Sequence, residues 1–191
     1  ASGALQSFAS GTLRRTDKGV LIEGARTNLC LQSQTFDNAS WSKTRASIVS
    51  NATTAPDGTT TADKIVEDSS NNTHLVSQLP TLVSGSVYTT SVFAKAAERS
   101  WLYMTEGNNV TAAAYFNLAS GVLGTVAGTG SPSATITPLG DGWYRCTLTY
   151  TPIANAGNIQ ARPATGDNGT SYQGDGVSGI YVWGGQSELG A

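Results

Sequence analysis

The sequence predicts an all-β domain, an antiparallel β-sandwich of the jelly-roll type. Three observations lead there. Short apolar-alternating runs recur along the chain, ten to twelve of them, with turn signals every eight to twelve residues. No amphipathic helical pattern interrupts them. At 191 residues, the chain is long enough for one sandwich with a sizeable core.

The first 17 residues are rich in Ser, Gly and Thr and read as an extended arm or linker, with the sandwich over 18–191. No charged-then-apolar leader opens the chain, and Ala1 to Gly11 reads as the middle of something longer. Lys18 to Glu23 is a short strand and Arg26 to Ser33 a second, with Leu29 and Leu31 on one face. A polar turn then leads to Trp41. The last strand, Ser178 to Leu189, is expected beside this opening strand. Pro56-Asp57-Gly58 marks a tight turn, because Pro presets φ, Asp caps its own turn and Gly takes positive φ. Ala119-Ser120-Gly121 and Gly140-Asp141-Gly142 mark two hairpins.

Trp101 to Glu106 alternates cleanly, with Leu102 and Met104 on one face and Trp101, Tyr103 and Thr105 on the other. In Trp143 to Thr151, Tyr144, Cys146, Leu148 and Tyr150 oppose Trp143, Arg145, Thr147 and Thr149. In Asn158 to Arg162, Ile159 and Ala161 oppose Gln160 and Arg162.

Composition narrows the function. Only 13 % of residues are charged against 39 % hydrophobic, so Ser, Thr, Asn and Gly must cover the surface. That suits an extracellular or virion-surface protein. A formal charge of −2 argues against a nucleic-acid groove, which needs clustered Lys and Arg. No apolar run approaches the roughly 20 residues of a membrane helix. Cys30 and Cys146 both fall in strands and read as buried thiols, with a bridge left open.

Catalysis has little to build on. His74 is the single histidine, sits at a strand start and reads as a partly exposed loop-edge residue. No nucleophile-elbow motif accompanies it. Glu67, Asp68, Glu98 and Glu106 form no sequence pattern for the paired carboxylates of a glycosidase, which stand roughly 5 to 9.5 Å apart. The expectation is therefore a protein that is not an enzyme.

Binding rests on the outer faces. A sugar ring offers an apolar C–H face and a rim of hydroxyls, so aromatics stack on the first while Arg, Gln and Asn bond the second. If their strands share a sheet, Trp101 and Tyr103 supply the stacking and Arg145, Gln160 and Arg162 the polar contacts. The alternative for Trp101 and Tyr103 is to cover the edge of the core. For the two arginines it is an ordinary surface ion pair, worth roughly 0–1 kcal/mol. Trp41, Trp143 and Trp183 read as structural, with Trp183 packed on the opening strand.

Several blocks carry a resemblance. TNLCLQSQTFDNASW, with Asn28, Leu29, Phe36, Asp37 and Trp41, resembles the opening of carbohydrate-binding modules of the family 4, 9 and 22 type. GVLIEGARTNL, TAPDGTTTADK, HLVSQ, DGWYR and GIYVWGGQSELG together resemble a module of bacteriophage tail and other virion proteins. The resemblance implies a jelly-roll sandwich of concanavalin or galactose-binding type in a tail fibre or tailspike, on the virion or outside the cell. It implies contact with a host-surface polysaccharide and with other virion proteins. The module is expected to recognise glycan without catalysis; the alternative is a structural virion domain, a spacer or an oligomer interface, with a homotrimer in view. Such modules often carry a paired-aspartate calcium site in the last strand. Here that position reads Val182-Trp183-Gly184, and calcium needs roughly six to eight oxygens. No cofactor is therefore expected, with a structural calcium left open.

Overall fold

The computed structural model describes residues 26–107 and 111–190 in full, and the backbone alone of 14–16 and 19–21. The expected arm over 1–17 lies outside the described residues except for its last strand. β1 (Arg14–Thr16) pairs with β2 (Gly19–Leu21) in an antiparallel hairpin.

The strands that follow are β3 (Ser42–Thr44), β4 (Ala46–Thr53), β5 (Ala62–Glu67), β6 (Asn71–Asn72), β7 (Leu75–Gln78) and β8 (Tyr88–Ala96). Next come β9 (Trp101–Glu106), β10 (Ala112–Asn117), β11 (Val122–Ala127), β12 (Ser133–Gly140) and β13 (Trp143–Tyr150). The series ends with β14 (Ile159–Ala164), β15 (Tyr172–Gln173) and β16 (Gly179–Leu189). Sheet I has the order β11-β10-β9-β14-β7-β3, and sheet II the order β12-β13-β8-β16-β5-β4. All pairings are antiparallel, and the described residues contain no helix. The chain changes sheet from β3 to β4, β5 to β7, β7 to β8, β8 to β9, β11 to β12, β13 to β14 and β14 to β16. The result is the jelly-roll sandwich that the turn spacing predicts.

One face of each sheet is buried against the other. Sheet I contributes Val76, Leu102, Met104, Ala114, Phe116 and Ile159; sheet II contributes Ile65, Val92, Cys146, Leu148, Ile180 and Val182. Two-residue periodicity puts their neighbours on the outer faces. Cys30 and Cys146 are free and buried, and burial pushes the Cys30 thiol up to about 12.

Two expected details differ. Arg26–Ser33 is not a strand. Asn28 caps a turn by accepting from the Cys30 amide (3.0 Å), and the Gln78 carboxamide both accepts from Leu31 N (3.0 Å) and donates to Leu31 O (2.6 Å). One side chain thus replaces a neighbouring strand. The segment still lies along β16, with Leu29 N donating to Ser187 O (2.7 Å). Trp183 does not touch this segment; it packs on Phe93 of the outer face of sheet II. It is Phe36 and Trp41, stacked at 4.5 Å, that meet β16, at its bulge beside Gly184 and Gly185.

Candidate ligand-binding face

The outer face of sheet I carries an aromatic and polar row built by register. Tyr103 of β9 lies opposite Tyr115 of β10 on one side and Arg162 of β14 on the other. The two tyrosine rings are 4.5 Å apart, and the Arg162 guanidinium lies 5.2 Å from the centre of the Tyr103 ring. Arg162 Nε donates to Gln160 Oε1 at 2.9 Å, and Nη2 donates to the same oxygen. Gln160 is 8 % exposed, so it orients the guanidinium more than it meets solvent. Burial lowers the Arg162 pKa and raises that of Tyr115, with Thr170 beside the Tyr115 hydroxyl opposing the rise.

Trp101 occupies the β11 end of this row. A Cβ on Gly124 would come within 2.9 Å of its ring and 2.8 Å of Asp167 Oδ1, so only glycine leaves room there for both groups. Asp167 is fixed in turn by Thr125 N (3.0 Å) and Thr125 Oγ1 (3.0 Å). Trp101 and Tyr103 are half-buried. Among the described residues, neither the Trp101 indole N–H nor the Tyr103 hydroxyl has a hydrogen-bond partner. The face therefore offers two aromatic surfaces with free polar ends and a guanidinium beside them. A sugar needs that combination, apolar area next to hydrogen-bonding groups.

Four of the five residues singled out in the sequence meet here: Trp101, Tyr103, Gln160 and Arg162. Arg145 does not. β13 belongs to sheet II, and Arg145 projects from the opposite outer face, 6.0 Å from the Phe93 ring, with Nη2 3.4 Å from Ser91 Oγ. Alternation fixes which way a side chain points from its strand but not which sheet the strand joins. Tyr115, Asp167 and Thr170 complete the face and were not singled out. Tyr115 was readable as the outward residue between Ala114 and Phe116; Asp167 and Thr170 lie in a Gly/Asn loop with no periodicity to place them.

The outer face of sheet II is covered. Ala55, Ala62, Phe93, Trp143 and Trp183 form a second apolar cluster there. Trp143 donates to Thr54 O (3.1 Å) and Trp183 to Thr61 Oγ1 (3.1 Å), so the 53–61 segment closes over both indoles. A cleft of about 470 Å³ remains at its edge, bordered by Asp57, Lys95, Asp141 and Trp143.

The titratable groups weighed for catalysis take defined places. His74 is fully buried rather than loop-edge, because the 172–174 segment folds back on it: the Tyr172 ring is 5.0 Å away and Gly174 lies against the imidazole. Its Nδ1 lies 2.8 Å from Arg45 O, and Nε2 is buried without a partner. Glu67 is buried too, accepting from Arg99 Nε (2.9 Å) and Nη2 (2.5 Å), Tyr172 Oη (2.8 Å) and Asp175 N (3.0 Å). Burial alone would raise its pKa, but these donors together hold it below the ordinary glutamate range. Glu106 is buried and accepts from Asn158 N (2.9 Å), while Glu98 pairs with Lys64 (2.7 Å). Among the described residues, no three His, Cys, Asp or Glu side chains gather to hold a metal.

No family model matches the chain, and no curated protein matches it. Among solved structures, the chain is similar to the enzymatically active domain of tailspike protein 4 of bacteriophage CBA120, with a TM-score of 0.52 and 14 % identity. The match covers 85 % of this chain and 21 % of that one. The fold of this chain is thus found within a phage tailspike. The expectation that the chain is not an enzyme is corrected by the same finding, since the similar structure is that of an enzymatically active domain.

Proposed function

We propose that the chain is a glycan-contacting β-sandwich of a bacteriophage tailspike-type virion protein, and that the outer face of sheet I meets the host-surface polysaccharide. In this reading it works as part of an enzyme that acts on that polymer. The observation that carries it is the Tyr115–Tyr103–Arg162 row ending on Trp101, with the indole N–H and Tyr103 hydroxyl unpartnered among the described residues. The likeness to a tailspike domain supports the virion setting at the level of fold. The test is a glycan-array screen of the purified chain, with its mass in solution measured on the same sample. Binding to defined polysaccharides is the expected result. Array silence would remove the glycan reading.

A second reading has its own observation. Leu31, Leu79, Val83, Val87, Ile153 and Leu189 are all exposed, and the loops carrying them meet at one end of the sandwich. Gly85 N donates to Pro152 O (2.9 Å), and Gly190 N donates to Val87 O (2.7 Å). An apolar end of this kind fits packing against another virion protein or a second copy. A trimer that binds no glycan would favour it.

A further inference from the structure

Arg162 points to the chemistry of the ligand. Resting on the glycan reading above, we propose that the polysaccharide held by this face is anionic, with a carboxylate or phosphate group seated on Arg162.

A guanidinium has five N–H donors in a planar fork. Arg162 directs Nε and one Nη2 hydrogen at the neutral oxygen of Gln160, and the rest of the fork has no partner among the described residues. No carboxylate faces it among the described residues. Glu67 is taken by Arg99, Glu98 by Lys64 and Asp167 by Thr125. The Tyr103 and Tyr115 rings flank Arg162, and the more distant Arg45 bonds Thr73 O (2.8 Å) and Thr73 Oγ1 (3.1 Å) and has the Asp68 carboxylate as its own counter-charge. A half-buried cation without a counter-ion is unfavourable in the free protein. A bidentate anion relieves this, because the fork matches carboxylate and phosphate geometry and Tyr103 and Gln160 already fix its plane. The acidic side chain of the row, Asp167, sits at the Trp101 end, so the anion belongs at the Arg162 end and uncharged sugar at the other.

The experiment measures affinities of the intact chain for neutral, uronic-acid and phosphate-bearing polysaccharides, with dextran, polygalacturonate and phosphomannan as defined members. Wild type, Arg162→Gln, Arg162→Lys and Trp101→Ala are compared at low and high salt. The expected result is at least tenfold tighter binding of one charged class than of neutral polymer. That preference disappears in Arg162→Gln, is partly kept in Arg162→Lys, and shrinks as salt screens the pair. Which charged class is preferred separates carboxylate from phosphate. Melting temperatures on the same samples separate loss of binding from loss of fold, and Arg162→Lys keeps the charge if the Gln variant unfolds. Neutral polymer that binds as tightly as the charged classes, through Trp101, would overturn the anionic proposal and leave the glycan reading standing. Binding of no polymer, or binding indifferent to Trp101, would overturn both.

Discussion

Trp183, on the outer face of sheet II, is 7 % exposed, donates its indole N–H to Thr61 and packs on Phe93 at 5.3 Å. Trp101, on the outer face of sheet I, is half-buried, and its indole N–H has no partner among the described residues. A similar contrast separates two arginines, although Arg99 lies in the turn between β8 and β9 and not on the outer face of sheet II. Arg99 is locked on the buried carboxylate of Glu67, while Arg162 has a neutral amide and an aromatic ring for company. Both outer faces carry tryptophan, a second aromatic ring and arginine. What separates them is the chain that covers one of them: 53–61 supplies sheet II with acceptors and apolar cover. An exposed-face aromatic is therefore informative about binding only after its polar atoms have been traced.

The largest effect should come from the covered side. Trp183→Ala removes a buried indole and is expected to cost about 3–5 kcal/mol, a fall of roughly 10 °C in melting temperature. Trp101→Ala should shift it by only a few degrees while lowering glycan affinity by about tenfold or more. A large fall for Trp101→Ala would make both faces structural and end the comparison.

Glu67→Gln sharpens the contrast between the arginines. Breaking a buried pair is expected to cost about 3 kcal/mol, since it leaves Arg99 with only the longer contact to Asp175 (3.8 Å). The acid response carries a sign. The folded pKa of Glu67 lies below its unfolded value, so the stabilisation is complete above the ordinary glutamate range and is lost as pH falls through the folded value. Thermal melts through that acidic window should decline more steeply for the wild type than for Glu67→Gln. Equal slopes would show that Glu67 does not gain from Arg99.

Gly124→Ala is a smaller perturbation. Its Cβ meets the ends of two side chains, which can move, so stability should drop by about 1 kcal/mol or less while Trp101 is displaced. Changed Trp fluorescence with weaker glycan binding is the expected readout. Arg145→Ala should do least, with stability within about 0.5 kcal/mol and affinity unchanged. Loss of affinity there would place the site on sheet II.

The sandwich was legible because alternation and turn chemistry are local. Gly58 closes the Pro56-Asp57-Gly58 turn with its amide on Ala55 O (2.9 Å) at φ 88°, and Leu102 and Met104 point inward as their spacing requires. The candidate face was legible in half-sheet pieces: each strand declared its outward residues, and β9 and β14 are neighbours. Pairing between distant strands was not, which is why Arg145 was grouped with them. Nor were Glu67 and His74, whose burial depends on Arg99 and on the 172–175 segment far along the chain. The Arg26–Ser33 segment misled for another reason, because a side chain, Gln78, took the place of a strand.

The most direct measurement uses the four indole N–H resonances of the intact chain. Trp41, Trp143 and Trp183 donate to Gln32 O, Thr54 O and Thr61 Oγ1, so their indole protons should exchange slowly with solvent. The Trp101 proton should exchange fast in the free protein. When a polysaccharide that the chain binds is added, the Trp101 signal should shift and become protected while the other three stay in place. A shift confined to Trp143 or Trp183, or a Trp101 proton already protected without ligand, would contradict the assignment of the binding face to sheet I.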